Sequence, residues 1–391
     1  MSTGRRIVIV SADIGAGHDA AARELGRGLT GRGFEVDEIN FLAVLPAPLH
    51  AAIRETYRTM LSRAPWSYDA LFTVTDRSPL SVAAIRAALR PARRRMLARL
   101  PPDTVAVVTT FPFANQVLGP LRHTLRITAP VITYVTDFAV HPTWVAPGVE
   151  LYCVVHEAAS RQARANGATS AQVVRPLVSA RFTDAPELGR RQARLRFGLP
   201  PEARLALIVA GSWGVGAVAR TAREITATGC VEPVVVCGRN EKLRRRLGRL
   251  PGHVLGWVDD MPALMRAADV IVENAGGLTC QESLVAGLPT ITYRPIPGHG
   301  RANAAVLTRC ALTRYVTSPA ELRPALTALV DGDGAAHVAF EPGVEMATVI
   351  ADLLGRSPVA GIPVRPAYGM TAAEPPSDRG RRHRPTRSGD G

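Results

Sequence analysis

Three stretches of this 391-residue chain set glycines beside a group able to move a proton or hold a charge. The first is Asp13-Ile-Gly-Ala-Gly-His18, the second Gly211-Ser-Trp-Gly-Val-Gly216. The third runs from Ala268 to Ile291 and contains Gly276-Gly277, Thr279, Glu282 and Gly287-Leu-Pro289. Where glycines join a strand to a helix, the backbone can approach a ligand and the free N–H groups of the helix N-terminus favour an anion. A histidine at that point, His18, is disfavoured as imidazolium by the same partial positive charge, so it stays neutral and can accept a proton. Glu282, in the first turn beside the glycine pair, could accept both hydroxyls of a ribose while a diphosphate rests on the helix start. Each stretch also has a plainer reading. A glycine turn needs no ligand, His18 could cap or pack, and Thr279…Glu282 has the spacing of a capping box. Neither of the first two loops is a proper G-x-G-x-x-G, since Ala20 stands in the first and the second spaces its glycines differently, so an NAD-type dehydrogenase has little support. The loop Pro295-Ile-Pro-Gly-His-Gly300 is too rich in glycine and proline for a plain connector.

The elements needed to position these groups are legible as β-branched runs alternating with helical stretches. Arg5–Val10, the helical stretch Ala20–Leu29 and a strand near Glu35–Ile39 make a β-loop-α-β start, followed by strand-like Val105–Thr110, Val131–Thr136 and Leu151–Val155. The pattern restarts with Leu205–Ala210 and the helix Ala217–Ile225. Strands are then expected at Val234–Cys237, Val254–Trp257, Val270–Val272 and Pro289–Tyr293. The expected organisation is an α/β N-terminal domain over 1–176, a linker over 177–203, a second α/β domain over 204–356 and a disordered basic tail over 357–391. Two such domains leave a cleft in which a ligand can be clamped.

Composition narrows the function further. With 47% hydrophobic residues the chain can build two cores, which excludes global disorder. No apolar stretch approaches the roughly 20 residues of a spanning helix, and the N-terminus lacks the pattern of a secretory signal. A cytoplasmic protein, lying against the inner face of the membrane, is expected. The five cysteines are odd in number and scattered, which indicates neither a disulfide framework nor a zinc site. The +14 formal charge rests on arginine, Lys242 being the sole lysine. Such a surface favours polyanions such as nucleotide diphosphates or anionic lipid. Aromatic residues are only 5% and are not interleaved with the basic runs, so no nucleic-acid partner is expected.

Taken in order, these pieces resemble the monogalactosyldiacylglycerol synthase and processive diacylglycerol glucosyltransferase family, relatives of the peptidoglycan GlcNAc transferase. The resemblance spans roughly residues 5–350. It is carried by Asp13–His18, by Thr136-Asp-Phe138 with His141-Pro-Thr-Trp144, and by Cys237-Gly-Arg-Asn240. Gly256-Trp-Val-Asp-Asp-Met261, Ala275-Gly-Gly-Leu-Thr279…Glu282, Gly287-Leu-Pro289 and Pro297-Gly298…Asn303 complete it. It implies a GT-B fold, two Rossmann-like domains facing a central cleft, with acceptor bound by the first and a UDP-sugar donor by the second. By position, Val258 and Met261 would border the uracil and Glu282 would take the ribose. Gly276, Gly277, Leu278 and Thr279 would hold the diphosphate, with Gly211, Ser212 and Gly214 facing it. Arg239, Pro297, Gly298, His299 and Asn303 would complete the donor site. His18 and Asp137 would be catalytic, and Gly15, Gly17, His141, Trp144, Trp66 and Tyr68 would line the acceptor side. The family usually has Pro-Gly-Gln-Glu where this chain has Pro297-Gly-His-Gly300, positions expected to touch the sugar. The implied reaction is an inverting transfer of a hexose to a lipid hydroxyl with no metal and no cofactor. A UDP-GlcNAc 2-epimerase-like enzyme and a catalytically inactive lipid- or nucleotide-binding protein are the alternatives. The apolar and aromatic segment Leu45–Phe72, followed by arginines from Arg86 to Arg99, suits a peripheral contact with anionic membrane.

Overall fold

Strands of a parallel sheet are covered on both faces and therefore read as unbroken aliphatic runs. The computed structural model, which describes residues 5–14, 16–183, 189–211, 214–274, 276–332, 340 and 343–356, turns these runs into two six-stranded sheets. The first comprises β1 (Arg6–Ser11), β2 (Glu35–Asn40), β3 (Thr104–Thr109), β4 (Val131–Tyr134), β5 (Leu151–Val154) and β6 (Ala171–Val173), in the order β2-β1-β3-β4-β5-β6. The second comprises β7 (Leu205–Val209), β8 (Glu232–Val236), β9 (His253–Leu255), β10 (Val270–Glu273), β11 (Thr290–Tyr293) and β12 (Arg314–Val316), in the order β12-β11-β10-β7-β8-β9. All strand pairs are parallel. The second order is that of a Rossmann fold; the first is the flavodoxin-like variant. In both, strand order reverses beside the first strand, between β1 and β3 and between β7 and β10. Ligands of open α/β sheets bind beyond the carboxyl ends of the strands at such points. Here the two points face each other. The three glycine stretches emerge there because each directly follows β1, β7 or β10.

Between β2 and β3, after the single turn Phe41–Val44, the chain inserts four longer helices, Ala47–Arg63, Pro65–Arg77, Pro79–Ala88 and Arg90–Leu97. Prolines within the first two positions set their starts, since a proline there gives up only an N–H that has no partner. This lobe covers one side of the cleft.

The halves are joined by more than a connector. Cys280, Leu284, Val306 and Leu307 of the second half share one core with Ile7, Ile9, Val108 and Tyr134 of the first. Two fully buried amides cross the same junction. Gln281 donates to the Thr136 carbonyl (2.7 Å) and accepts from the Tyr134 hydroxyl (2.8 Å). Asn303 accepts from the backbone N–H of Ala139 (2.8 Å) and donates to Asp137 (3.1 Å).

The residues expected as a linker, 177–203, hold a 3-10 turn at Ala180–Phe182 and the helix Arg190–Arg196. Arg194 of that helix is buried against Asp269 (2.8 Å). Residues 346–356, grouped by sequence with the second half, return to the first. Helix Met346–Arg356 lies on helix Ala16–Thr30, where a Cβ on Gly28 would come within 3.3 Å of the Ala347 side chain. Arg32 bonds Thr348 (2.7 Å) and Arg5 bonds the Leu354 carbonyl (3.0 Å) across the same contact. The tail expected over 357–391 lies outside the described residues.

Replacing Gln281 by Ala leaves the Thr136 carbonyl and the Tyr134 hydroxyl each short of a partner in a dry junction. The expected result is a loss of about 2–4 kcal/mol of stability in chemical denaturation. A loss below about 1 kcal/mol would assign the junction to its apolar contacts alone.

Candidate active site

His18 occupies the first turn of helix Ala16–Thr30, directly beyond β1. Its Nδ1 lies 2.5 Å from the carbonyl oxygen of Thr110, the residue that follows β3. A carbonyl only accepts, so Nδ1 carries the proton and Nε2 keeps its lone pair. Phe111 packs edge-on against the ring (5.3 Å between centroids) and Trp144 lies at 6.3 Å. Burial lowers the His18 pKa below its ordinary 6.5, against the opposing pull of Asp137, the Thr110 carbonyl and Asp19. The ring is therefore a neutral base at pH 7.

Asp137 lies in the loop after β4 and is held from two sides. The Trp144 indole N–H donates to Oδ2 (3.4 Å), and Asn303 donates to Oδ1. Trp144 is itself buried, its carbonyl accepting from Asn115 (2.7 Å).

Facing this pair across a cleft of about 860 Å³ is the start of helix Leu278–Val285. Gly276 has φ +61°, and a Cβ there would strike the Asn303 side chain at 2.5 Å, so the turn demands glycine. Gly277 is the residue before the helix and supplies no side-chain cap; a Cβ there would meet nothing within 4 Å. The helix thus opens two residues earlier than a capping box at Thr279 requires, and that box is not formed. Glu282 instead lines the cleft, and no hydrogen bond among the described residues satisfies its carboxylate. Burial alone raises its pKa to about 7. Glu273, at the end of β10, accepts from the Gly276 N–H and from the Thr292 hydroxyl, fixing the glycine turn from below.

The third wall brings the lobe to the Pro295–Gly300 loop. Tyr68 bonds His299 Nδ1 (2.9 Å), while Asp69 accepts from the Gly298 N–H (2.8 Å) and from Arg301 (2.6 Å). His299 is lowered in pKa by burial, opposed by Asp137 and reinforced by the charge of His18. Tyr57 packs edge-on against Tyr68, and burial pushes its pKa up to about 12.

The structure thus brings Gly17, His18, Asp137, His141, Trp144 and Tyr68 to the cleft from the first half. Gly211, Val258, Met261, Gly276–Thr279, Glu282 and His299 come from the second. Other expected residues lie elsewhere. Arg239 stands one layer back from the cleft, stacked on the half-exposed indole of Trp257 (4.5 Å), which does line it. Trp66 points to solvent, 74% exposed. Gly214 packs beneath Asn240, and Pro297 and Gly298 lie behind the wall, Gly298 against Tyr68 and Phe72. The Asn303 amide is committed to the domain junction. His141 has both nitrogens occupied, Nδ1 accepting from the Thr143 N–H and Nε2 facing the Phe72 carbonyl (3.3 Å), so it anchors the lobe. Gly15 and Ser212 lie outside the described residues. Sequence reasoning missed Thr110, Asp69 and Gln281. Only Thr110, directly beyond a readable strand, left a local signal.

This fold and cleft define a GT-B glycosyltransferase. Residues 18–175 match the family model described as monogalactosyldiacylglycerol (MGDG) synthase, and residues 206–331 match the glycosyltransferase family 28 C-terminal domain. Together the two matches take in most of both halves of the chain. It is 24% identical over 354 residues to a processive diacylglycerol beta-glucosyltransferase of Bacillus subtilis, covering 86% of this chain and 90% of that one. A protein of the same name from Bacillus mycoides is 26% identical over 234 residues, 58% of this chain and 60% of the relative. Among solved structures, MurG of Acinetobacter baumannii superposes with a TM-score of 0.52 at 17% identity, covering 90% of this chain and all of MurG. Spinosyn rhamnosyltransferase SpnG, complexed with thymidine diphosphate, gives 0.59 at 14% identity, covering 89% of this chain and 99% of SpnG.

Glu282 also carries a stability prediction. The folded chain holds this proton more tightly than the unfolded one, whose value is near 4.5, so the cost of ionising it grows as pH rises from about 4.5 to about 7. Glu282→Gln should therefore stabilise the ligand-free protein by about 1–3 kcal/mol at pH 8 and by much less at pH 4.5. Urea titrations at the two pH values measure this. Equal effects at both would mean the carboxylate is solvated.

Proposed function

We propose that the protein transfers a hexose from a UDP-sugar to the hydroxyl of a diacylglycerol-like lipid, with inversion and without a metal. The observation that carries this reading is the opposition, across one cleft, of a neutral histidine with its Nε2 lone pair free and an unsatisfied carboxylate beside a bare helix N-terminus. His18 Nε2 takes the acceptor proton as the hydroxyl oxygen attacks the anomeric carbon, and the bond from that carbon to the diphosphate oxygen breaks. Asp137 offsets the positive charge that forms on the ring. The diphosphate leaves onto the N–H groups at Gly277–Thr279, where the helix dipole favours its charge. Glu282 accepts the ribose hydroxyls, and Val258 and Met261 flank the base. The acceptor side is apolar, with Ile53, Met60, Leu61, Phe72 and Phe113 in its wall, which suits acyl chains.

No helix of the described residues is long and apolar enough to cross a membrane. The reading instead places the lobe on the inner membrane face. Trp66 (74% exposed), Leu71, Val74 and Leu80 (81% exposed) are exposed on the lobe, Leu71 also lining the cleft, and would enter the lipid interface.

Three outcomes are expected. His18→Ala should lower kcat by about 10²–10⁴ while UDP affinity, measured calorimetrically, stays within about twofold. The wild-type rate should rise with pH through a pKa below 6.5 and be flat above it, since burial depresses that of the base. A folded His18→Ala protein with normal turnover would remove the base. UDP affinity should rise as pH increases through about 7, because Glu282 must ionise to accept two hydroxyls. Glu282→Gln should abolish that dependence and weaken binding about tenfold or more. Affinity unchanged by the mutation would reject the ribose role. Finally, turnover should survive EDTA, because no cluster of metal-ligating side chains occurs among the described residues and the helix N-terminus takes the leaving charge.

A further inference from the structure

A diphosphate brings negative charge into the cleft, and the cleft wall holds little to meet it. Its three histidines, His18, His141 and His299, are kept toward the neutral form by burial. Asp137, Glu273 and Glu282 in the same wall are acidic. Among the described residues that line the cleft, Arg23 is the only arginine or lysine. A guanidinium keeps its charge at any working pH and offers a fork of donors that matches two phosphate oxygens.

The fold aims this side chain toward the start of helix Leu278–Val285. Arg23 lies on helix Ala16–Thr30, where Ala16, Ala20 and Arg23, spaced i, i+4 and i+7, all line the cleft while Ala21, Ala22 and Leu25 face the core. Helical side chains lean toward the N-terminus of their helix, so Arg23 reaches back toward the level of His18. The axial span between the two is about 7.5 Å, which an extended arginine covers. Helix Leu278–Val285 begins at that same level, since a Cβ on Gly17 would come within 3.5 Å of the Leu278 Cβ. The acidic neighbours of Arg23 on its own helix are already engaged. Asp19, one turn earlier, accepts from the Ser11 hydroxyl (2.7 Å), and Glu24 is paired with Arg27. Arg23 itself is exposed and makes no hydrogen bond or ion pair among the described residues.

We propose that Arg23, from the first half, binds the donor diphosphate opposite the helix start at Gly277–Thr279 and holds the charge of the leaving group. This inference rests on the nucleotide-sugar reading of the cleft. When the bond from the anomeric carbon to the diphosphate oxygen breaks, its electron pair stays on that oxygen, and the acceptor proton goes to His18. Arg23 gives up no proton. It meets the added negative charge, which the helix N-terminus would otherwise carry alone.

The test titrates UDP, uridine and inorganic pyrophosphate into the full chain by calorimetry at pH 8, above the Glu282 value of about 7. Arg23→Gln should weaken UDP binding about tenfold and leave uridine within about twofold. Arg27→Gln removes the same formal charge one turn further along the helix and should change either affinity by no more than about twofold. Unchanged UDP affinity in Arg23→Gln would overturn the proposal. So would equal losses of UDP and uridine, or equal losses in the two variants. Turnover at saturating donor should also fall about tenfold in Arg23→Gln, because charge on the diphosphate grows in the transition state. An unchanged kcat would overturn the leaving-group role. If Arg23→Gln does not fold by circular dichroism, Arg23→Lys replaces it, keeping the charge without the fork. A UDP loss of about threefold is then expected, and no loss would overturn the proposal. The nucleotide-sugar reading fails separately, if the wild type binds no UDP. Pyrophosphate then decides the role of Arg23. Binding that is lost in Arg23→Gln supports the anion site, whereas no binding to the wild type, or equal binding to both proteins, overturns it.

Discussion

Helix Leu278–Val285 is engaged at its end and along its flank, and the rest of the site depends on this double attachment. Its N-terminus faces the cleft, while Gln281 on its buried side is bonded to the Thr136 carbonyl and the Tyr134 hydroxyl at the end of β4. Thr136 immediately precedes Asp137. The helix start proposed to receive a diphosphate and the loop carrying Asp137 are thus tied through one side chain. Asn303 repeats the arrangement from the next helix. In many two-domain proteins relative motion is the default, because the interface is small and polar. Here a shared apolar core and two dry amides oppose such motion, and the parts left to rearrange are the lobe and the Pro295–Gly300 loop, joined through Asp69 and Tyr68.

The electrostatics of the cleft follow from its dryness. His18 and His299 are depressed, Glu282 and Tyr57 are raised, and in each case burial is the largest cause. These four groups are therefore held toward their neutral forms without ligand, an arrangement that limits uncompensated charge. Charge arrives with a substrate. In the proposed reaction a donor would bring hydroxyls for Glu282 and anionic oxygens for the helix start, and proton transfer to His18 would create a cation beside Asp137. The histidine at position 299 belongs to this scheme. Bonded to Tyr68 and repelled by a protonated His18, it favours the neutral resting state.

Much of this was legible in the residues themselves. Aliphatic runs such as Arg6–Ser11 and Leu205–Val209 are buried on both sides, so their period and composition reveal them. Glycines after such runs reveal the two crossing points, and hence His18, Gly276 and Gly277. What remained hidden depends on contacts between distant segments. Nothing local marks Gln281 as the tie between halves, since a glutamine in a helix is ordinarily solvated. Asn303 reads equally as a ligand contact or a junction residue until its partners are in place. Trp66 and Tyr68, two residues apart on one helix, were grouped together, yet the helical turn sends one to solvent and the other into the cleft. The final helix was assigned to its neighbours in sequence, because amphipathic character says that a face is buried but not against what.

That final helix has a consequence for how the chain is made. Met346–Arg356 covers Ala16–Thr30 of the first helix, and the core it completes includes Ile7, Ile9 and Val108. During synthesis the first sheet and helix Ala16–Thr30 emerge early, but the core they share stays only partly covered until helix Met346–Arg356 has left the ribosome. Translation at about 5–20 residues per second would keep that core open for tens of seconds. Contacts of such long sequence separation are also the slowest to form once the chain is free. The nascent first half is thus a natural client for chaperones.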